Sequence, residues 1–296
     1  MVRMALGFCQ CYGDLLFILL GASVGVLFAA HDVAIRGSGS SREDVHIVTF
    51  QTLVSGYPIV LLFSIVLWGF KPISPQSIVY YIVSGVANFS LGRSSLYVAI
   101  RSIGASGASI LLTMSIVIGI LLGALVGEEI TPSQLAGSVL IFISSVIVAW
   151  GGGFRRDPKG VISGLVASSG LALAIFFSRL GNTAGGDPFA GVLIAYSVGL
   201  ASELLLSGGR IDPRGLAYRG DRAVAVAGIL ASLGQTARYY ALTHLGASIV
   251  TPLQNIRPVV ATILTRALSR RTMEKPGSRG YIAAVIAFAG VIMLSL

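Results

Sequence analysis

Three arginines lie inside long apolar stretches of this chain, where a charged side chain has little water to solvate it. Arg257 is close to the middle of its stretch, Arg93 lies past the middle of another, and Arg238 is nearer an end. A central arginine costs about 2.5–3.5 kcal/mol on membrane-insertion scales, so Arg93 and Arg257 should face protein or water rather than lipid. The planar guanidinium matches carboxylates and phosphates. The sequence therefore predicts an anion-binding site, with structural ion pairs as the alternative.

Neutral polar residues that could complete such a site lie in the same or neighbouring apolar stretches. They are Asn88, Gln235, Gln254, Asn255 and Thr113. Thr113 and Asn255 each end a stripe of small polar residues, which begin at Ser106 and Ser248 and fall on one face of a helix. Hydroxyl residues in membrane helices also allow close helix packing. The stripes therefore predict a cavity wall, a packing surface, or both.

Three titratable residues are candidates for carrying a coupling proton, namely Asp32, Glu203 and His31. An acid in a poorly solvated site is more readily protonated than the same acid in water. Each residue also has a competing interpretation. Asp32 could form an i,i+4 ion pair with Arg36, Glu203 lies close enough to a helix end to reach the membrane interface, and His31 could be an ordinary packing residue.

No catalytic, metal or cofactor site is predicted from the sequence. Cys9 and Cys11 are the two cysteines, and two thiols without a histidine cluster make a poor zinc site. The segment 104–107, Gly-Ala-Ser-Gly, matches the Gly-x-Ser-Gly pattern of rhomboid intramembrane proteases, but its serine would need a base within reach. Phosphate-binding loops and the His-Glu-x-x-His pattern do not occur in the sequence. We therefore do not expect an enzyme.

The residues considered above are carried by apolar runs long enough to cross a membrane. Apolar residues make up 54% of the chain and charged residues 11%, whereas soluble domains carry about 25% charged residues. About 20 apolar residues span a bilayer as a helix. Ten such runs are predicted, at 15–35, 46–70, 76–100, 104–126, 132–151, 159–178, 189–206, 222–243, 246–266 and 280–296. Ser74-Pro75 and Asp187-Pro188 mark two helix starts, because a capping side chain precedes a proline. The chain is therefore predicted to be an all-α polytopic membrane protein with ten transmembrane helices.

An internal repeat organises these ten helices. The segment Leu91–Ser106 recurs as Leu233–Ser248, shifted by 142 residues, with seven of sixteen positions identical. A glycine run followed by basic residues separates two five-helix units, which we place at 15–151 and 159–296. Because each unit has an odd number of helices, the second is inverted relative to the first. Inverted repeats place a substrate site near the membrane midplane, at the interface between them.

The distribution of basic residues predicts the orientation of the chain. Counted between successive spans, Lys and Arg number 3 on one side and 15 on the other. The side rich in these residues faces the cytoplasm under the positive-inside rule. We therefore predict a multi-pass protein of the cell membrane whose two termini both lie outside the cytoplasm. The net charge of +9 is explained in this way without a nucleic-acid partner.

Several stretches carry a resemblance to a known family. Tyr97–Ser106 resembles the link between helices 3 and 4 of the drug/metabolite transporter superfamily, in its ten-helix form with two EamA-type domains. Gly127–Thr131 and Gln134–Gly137 are similar to that family's corner between helices 4 and 5, and Tyr240–Ser248 matches in the second copy, followed by the common family proline at Pro258. The copies depart from each other at Ile116, which stands where Pro258 would align, and at Arg270-Arg271, which replaces the Gly127-Glu128 corner. The resemblance implies two inverted five-helix repeats that work by alternating access.

We therefore expect a secondary transporter, in the direction of export, of a small polar metabolite that is anionic or zwitterionic, such as an amino acid. The cavity should lie between helices 3, 4, 8 and 9, with helices 1, 2, 6 and 7 as gates and helices 5 and 10 at the periphery. Arg93 and Gln235 are equivalent in the repeat, so a substrate could meet a charge at one end and an amide at the other. No ATP-binding segment occurs, so a proton or counter-solute would supply the energy. The protein would act as a monomer or homodimer without a cofactor.

Two alternatives remain at this point. The first is a non-transporting membrane scaffold or receptor-like protein, which would have a closed interface between its repeats and no solute flux. The second is a lipid-carrier flippase on the same scaffold, which would need a lateral opening lined by apolar residues.

Overall fold

The computed structural model describes residues 2–38, 44–125, 131–149, 157–211, 221–244, 254, 256–268 and 277–294, which are helical apart from short turns. The α-helices in these ranges are α1 (Val2–Gly37), α2 (Val45–Phe63), α3 (Pro75–Val86), α4 (Ser94–Leu112), α5 (Met114–Leu125), α6 (Pro132–Ala149), α7 (Pro158–Thr183), α8 (Pro188–Leu206), α9 (Arg222–His244), α10 (Arg257–Ala267) and α11 (Ser278–Leu294). No strand occurs in the described ranges. The prediction of an all-α chain is confirmed for these residues.

The two helix starts predicted from a capping residue and a proline are seen in the structure. Ser74 Oγ accepts a hydrogen bond from the Ser77 amide at 3.1 Å ahead of α3. Asp187 Oδ1 accepts from the Phe189 and Ala190 amides at 2.8 and 3.1 Å ahead of α8. These contacts satisfy amide groups that have no carbonyl partner in the first turn of a helix. The predicted helix starts at Ser74-Pro75 and Asp187-Pro188 are therefore confirmed.

Two departures from regular α-helix lie close to the polar residues of interest. A π-helical segment, Ala87–Arg93, joins α3 to α4 and contains Asn88. Gly104 breaks α4 with φ 89° and ψ 164°, a backbone conformation that glycine adopts without strain. This break falls between the predicted spans 76–100 and 104–126. The wider winding of a π segment changes which side chains face inward, and such segments are frequent at functional sites.

Five helical stretches in the described ranges are long and apolar enough to cross a membrane. They are Leu19–Gly37, Val45–Trp68, Pro75–Leu122, Pro158–Thr183 and Pro188–Leu206. The third has 48 residues, so it would be about 72 Å long as a straight helix, enough for two crossings of a hydrocarbon core of about 30 Å. The structure thus shows a multi-pass membrane protein, while the number of ten spans stays a prediction.

Helices of the two predicted repeats pack against each other in matching pairs. α1 packs against α9. α7, which is the equivalent of α1 in the second repeat, packs against α3 and the π segment, and α6 packs against α11. Where α7 crosses the π segment, a Cβ on Gly170 would lie 2.6 Å from the Gly92 nitrogen and 2.7 Å from the Ala87 carbonyl oxygen. Only glycine permits so close an approach of two backbones. This crossing positions the segment that carries Asn88 and Arg93.

Gly170→Val should lower the thermal unfolding midpoint of the protein, because the new side chain would meet backbone atoms that cannot rotate away. Overpacking of this kind typically costs about 1–3 kcal/mol. The matched control is Gly119→Val on α5, where an added Cβ has no described atom within 4 Å. Fluorescence-monitored unfolding in detergent would compare the two variants. Equal midpoints for both would contradict the close approach of α7 to the π segment.

Candidate functional site

One cavity in the described part of the chain gathers most of the polar residues that the sequence singled out. Six of the predicted substrate-binding residues line it, namely Asn88, Arg93, Gln235, Arg238, Gln254 and Arg257. The other lining residues are Phe28, His31, Gly92, Leu96, Leu112, Ala167 and Leu171. The cavity volume is about 40 Å³, counted over the positions that the centre of a water molecule can occupy. That is room for about three waters, so the cavity is narrow in this conformation.

Three pairs of lining residues are related by the repeat shift of 142 residues. The pairs are Arg93 with Gln235, Leu96 with Arg238, and Leu112 with Gln254. In the second and third pairs, the second repeat supplies a polar side chain where the first repeat supplies a leucine. The cavity is therefore lined by equivalent positions of the two repeated sequences, and these positions differ in polarity.

Helix geometry explains how these side chains reach one place. Gln235 and Arg238 are three residues apart on α9 and so share a face. Arg257 is the first residue of α10 and is followed by Pro258, and proline in the first turn costs a helix no hydrogen bond. α1 and α7 also contribute wall residues. α1 and α7 correspond to the predicted helices 1 and 6, which we expected to act as gates. They are therefore part of the cavity wall, together with the predicted helices 3, 4, 8 and 9.

Arg257 is paired with Asp32 of α1 in a buried bidentate contact. Arg257 Nε donates to Asp32 Oδ2 at 2.7 Å, and Arg257 Nη2 donates to Asp32 Oδ1 at 2.6 Å. Ser109 Oγ of α4 donates to Oδ2 at 2.8 Å, and His31 Nδ1 lies 3.0 Å from Oδ1. Bidentate arginine–carboxylate pairs are among the strongest polar contacts in proteins. This contact joins α1, α4 and α10 beside the cavity and neutralises the charge of Arg257.

A chain of hydrogen bonds continues from Asp32 through α1 to α4 and α2. His31 Nε2 lies 2.9 Å from Tyr97 Oη, Tyr97 donates to Thr52 Oγ1 at 3.1 Å, and Thr52 donates to the Thr49 carbonyl at 2.8 Å. A carboxylate can only accept, so His31 Nδ1 donates to Asp32. When the Tyr97 hydroxyl donates to Thr52, His31 Nε2 must donate to the Tyr97 oxygen, so both ring nitrogens of His31 carry a proton and the imidazole is charged. If Tyr97 donates to His31 instead, the imidazole is neutral. The chain therefore accommodates His31 in both states.

Arg238 and Arg93 line the cavity, and no described carboxylate pairs with either of them as Asp32 pairs with Arg257. Arg238 is 0% exposed, and its Nε, Nη1 and Nη2 atoms have no hydrogen-bond partner among the described residues. Arg93 is 5% exposed, and its Nη1 also lacks a partner within those ranges. The Arg93 guanidinium carbon lies 4.6 Å from the Phe89 ring centroid, and that of Arg238 lies 5.8 Å from the Tyr239 ring centroid. Cation–π contacts stabilise a charge but leave N–H groups available to an anion.

Glu203 lies outside the cavity, in a second polar cluster between α8, α2 and α4. Its side chain is fully buried, its Oε2 lies 2.8 Å from His46 Nδ1, and its Oε1 accepts from Ser94 Oγ at 3.1 Å. Ser94 Oγ in turn lies 3.0 Å from Thr49 Oγ1. The His46 side chain is 26% exposed. His46 thus connects the buried carboxyl group to the surface of the described structure.

Two predicted binding residues are not found at the cavity. Thr113 is buried and donates to the Ile110 carbonyl at 2.6 Å, at the junction of α4 and α5. Its hydroxyl therefore serves the local backbone rather than the cavity. Asn255 lies outside the residues that the structure describes.

The structure also corrects the local interpretation of Asp32. The i,i+4 spacing favoured a pair with Arg36, but Asp32 is engaged by Arg257, and Arg36 Nη1 donates to the Ile100 and Arg101 carbonyls at 3.2 and 2.8 Å. A partner on another helix competes successfully because the bidentate geometry adds a second short hydrogen bond.

The serine of the rhomboid-like pattern is not paired with a histidine in the described part of the chain. Ser106 Oγ is buried and has no hydrogen-bond partner there. His31 bonds to Asp32 and Tyr97, and His46 bonds to Glu203. The arrangement that would activate a serine nucleophile is therefore not formed by these two histidines.

Tyr97 and His46 are among the residues of these networks that sequence reasoning missed. Tyr97 is identical to Tyr239 in the repeat, and both are buried and bonded across helices, since Tyr239 Oη lies 3.1 Å from Ser84 Oγ. A polar aromatic retained in both copies was the signal that could have identified Tyr97. No sequence signal joined His46 to Glu203, because 157 residues separate them.

Comparison with known proteins agrees with this architecture. None of the curated proteins compared matches the chain. A crystal structure of another protein aligns with 94% of this chain and 95% of its own length, at TM-score 0.64 and 16% sequence identity, a likeness that shows the fold alone. The profile of the EamA-like transporter family matches twice, over residues 12–150 and 158–296. The chain therefore belongs to the EamA-like transporter family, as the resemblance indicated.

Proposed function

We propose that this protein is a secondary transporter that exports a small polar organic metabolite, anionic or zwitterionic, across the cell membrane by alternating access. Its family membership makes it a membrane transporter of the drug/metabolite type. We take 15–151 and 159–296 as its two five-helix repeats. The observation that carries the proposal is a pair of buried guanidiniums, on Arg93 and Arg238, that line the same cavity. Nη1 of Arg93 and all three nitrogens of Arg238 have no hydrogen-bond partner in the described ranges.

The cost of burying these two charges supports a binding role. An unpaired guanidinium in a poorly solvated interior is expensive, so a fold retains it where water or a ligand can solvate it. Asn88, Gln235 and Gln254 line the same cavity and would supply hydrogen bonds, and Asn255 remains a predicted contributor. The cavity has room for about three waters, which is enough for one charged group of a metabolite. The rest of a metabolite would enter only when the walls move, as alternating access requires.

Proton coupling has two candidate routes in this arrangement. Asp32 and His31 belong to the hydrogen-bonded chain beside the cavity, and that chain accommodates His31 with one proton or two. Glu203 is buried at the α2–α8 contact with the partly exposed His46 as its link to water. The bidentate contact with Arg257 favours an ionised Asp32, which leaves Glu203 and His31 as the better proton carriers. A counter-solute is the alternative coupling partner.

Glu203→Gln should remove the stimulation of transport by a proton gradient while leaving solute exchange intact. The amide keeps the size of the side chain but cannot bind and release a proton. Proteoliposomes with and without an imposed pH gradient would measure both quantities. Asp44→Asn is the matched control, because Asp44 is an acid in a partly exposed ion pair with Arg210, at 2.7 Å. A gradient response that survives in Glu203→Gln would remove Glu203 as the carrier.

The transport proposal is tested by counterflow in proteoliposomes. A thermal-shift panel of amino acids, sugars, nucleotides and organic acids first selects ligands of the purified protein. Vesicles loaded with an excess of each ligand should then accumulate its labelled form, and protein-free vesicles should not. Ligand binding without flux would favour the receptor-like alternative. Accumulation or scrambling of a labelled lipid phosphate, with no flux of soluble ligands, would favour the flippase.

The predicted orientation places the carboxyl terminus outside the cytoplasm. A peptide tag fused there should react with an impermeant antibody or label on intact cells, because the side rich in Lys and Arg faces inward. A tag in the segment 212–220, which joins predicted helices 7 and 8, should react only after the cells are permeabilised. The opposite result would reverse the topology without changing the fold.

A further inference from the structure

We infer that the cavity binds a doubly negative organic anion without an ammonium group, the chemistry shared by phosphate monoesters and dicarboxylates. The inference rests on the proposed transport function and narrows its substrate. It follows from three properties of the cavity: its charge, the type of hydrogen-bonding atoms left free in it, and the unequal polarity of its walls.

The charge of the cavity is the first of these properties. Three arginines line it, and no carboxylate is found among its described lining residues. Asp32 lies behind the wall and neutralises Arg257 alone, through both of its oxygens. Within the described residues, two positive charges, on Arg93 and Arg238, therefore remain uncompensated. A ligand with two negative charges would balance them, whereas a singly charged ligand would leave one guanidinium buried without a counter-charge.

The buried side-chain atoms of the lining residues that have no partner in the described ranges are mostly donors. Arg238 contributes three unpartnered nitrogens, Arg93 contributes Nη1, and Asn88 contributes Nδ2, with respect to the described residues. Among the fully buried side-chain atoms of these lining residues, Gln235 Oε1 is the acceptor that has no partner in the described ranges. A guanidinium has donors only, so the complementary ligand must present several acceptor oxygens. Phosphate groups and paired carboxylates do so.

An ammonium group would find no free carboxylate among the described residues that line this cavity. It needs acceptors, preferably a carboxylate, and the carboxylate nearest to the cavity already accepts from Arg257 and Ser109 and lies within bonding distance of His31. Releasing Asp32 for a ligand would leave Arg257 buried without a partner, which is strongly unfavourable. Zwitterionic amino acids are therefore poorer ligands than anions of the same size.

The unequal walls indicate how such a ligand would lie. Arg238 and Gln254 of the second repeat occupy the positions equivalent to Leu96 and Leu112 of the first, and all four residues line the cavity. The anionic groups would bind between Arg93 and Arg238, while the carbon skeleton would contact Leu96 and Leu112. This arrangement favours an organic dianion over inorganic phosphate.

The test compares matched anions of charge −2 and −1 on the purified full-length protein by calorimetry at pH 7.5. Propyl phosphate is largely a dianion there, since its second pKa is about 6, and methyl propyl phosphate is a monoanion. Succinate and succinamate form a second such pair. We expect the dianion to bind about 10-fold or more tightly in each pair, because hydrogen bonds to a charged group are strong. Alanine serves as the zwitterion and should bind more weakly than either dianion.

Variants assign this preference to the two free arginines. Arg93→Gln and Arg238→Gln should each bring the affinities for the dianion and the monoanion close together. Arg266→Gln is the matched control on an exposed position of α10 and should keep the preference. Dodecyl phosphate is added to distinguish sources: tighter binding of this long-chain monoester would indicate a lipid head group, and equal binding would indicate a soluble metabolite.

The outcomes separate this inference from the proposed function. Equal binding of dianion and monoanion, or tight binding of alanine, would overturn the inference and leave an anion or amino-acid transporter in place. A dianion preference that persists in both arginine variants would also overturn it, because another site would then be responsible. If none of the probes binds and counterflow with the wider panel shows no flux, both the inference and the transport proposal fail.

Discussion

Charge reversal at Arg257 should abolish transport while the protein remains inserted in the membrane. In Arg257→Glu, a carboxylate replaces the guanidinium that donates to both oxygens of Asp32 at 2.7 and 2.6 Å. Two buried carboxylates would then face each other, and the cavity would lose one of its positive charges. Since the pair joins α1 to α10, the wall should distort as well. We expect flux at the level of protein-free vesicles, measured by counterflow after reconstitution at equal protein density.

The controls for this prediction distinguish lost function from lost folding. Arg266→Glu makes the same change on α10 at an exposed position and should transport normally. The exchange Asp32→Arg with Arg257→Glu restores opposite charges and should recover a monodisperse protein in gel filtration, even if its flux stays low. Membrane insertion is checked by resistance of the Arg257→Glu protein to alkaline extraction. Full activity of that variant would refute the assignment of Arg257 to the site.

Arg238→Met should raise the thermal stability of the ligand-free protein and at the same time eliminate its response to anions. The guanidinium is 0% exposed and lacks a partner for all three nitrogens within the described residues. An unpaired guanidinium is unfavourable in a poorly solvated interior, and methionine fills similar space without a charge. Replacing a residue of a binding site often stabilises a protein and reduces its function, because the site is kept destabilised so that it can bind its ligand.

The measurement for Arg238→Met is the unfolding midpoint in detergent with and without a dianion. We expect the variant to unfold at a higher temperature than the wild type when both are free of ligand, and to show no further rise when succinate or propyl phosphate is added. Asp32→Asn is the informative contrast, because it leaves Arg257 unpaired and should lower the midpoint; breaking a buried ion pair costs about 3–5 kcal/mol. A lower midpoint for Arg238→Met would mean that Arg238 has a stabilising structural partner.

Several features of the fold and site were predictable because their signals are local or repeated. The capping side chains at Ser74 and Asp187 act within one helical turn, and their effect does not depend on tertiary contacts. The arginines were informative for a different reason. The cost of placing a charge in lipid confines Arg93 and Arg257 to the protein interior, wherever the helices pack. Both residues and Arg238 do line one cavity.

The pairing of distant residues could not be predicted in the same way. Asp32 is four residues from Arg36 but 225 residues from Arg257, and a rule based on spacing within a helix favours the nearer arginine. The geometry that selects Arg257 exists only after α1 and α10 have packed. The π segment Ala87–Arg93 is similar, since its winding depends on the backbone contact with Gly170 of α7 as well as on its own sequence. Thr113 lies away from the cavity lining, and a one-face pattern does not show which neighbour that face meets.

The unlike pairs at positions 142 residues apart have an energetic consequence for a transporter built in this way. If the two repeats were identical, exchanging their conformations would convert the inward-open form into the outward-open form, and the two forms would have equal free energy. The two forms differ in free energy because equivalent positions carry different residues: Arg238 corresponds to Leu96, and Gln254 corresponds to Leu112. One resting form should therefore be more populated than the other. The same solute should then half-saturate the carrier at different concentrations on the two faces of the membrane.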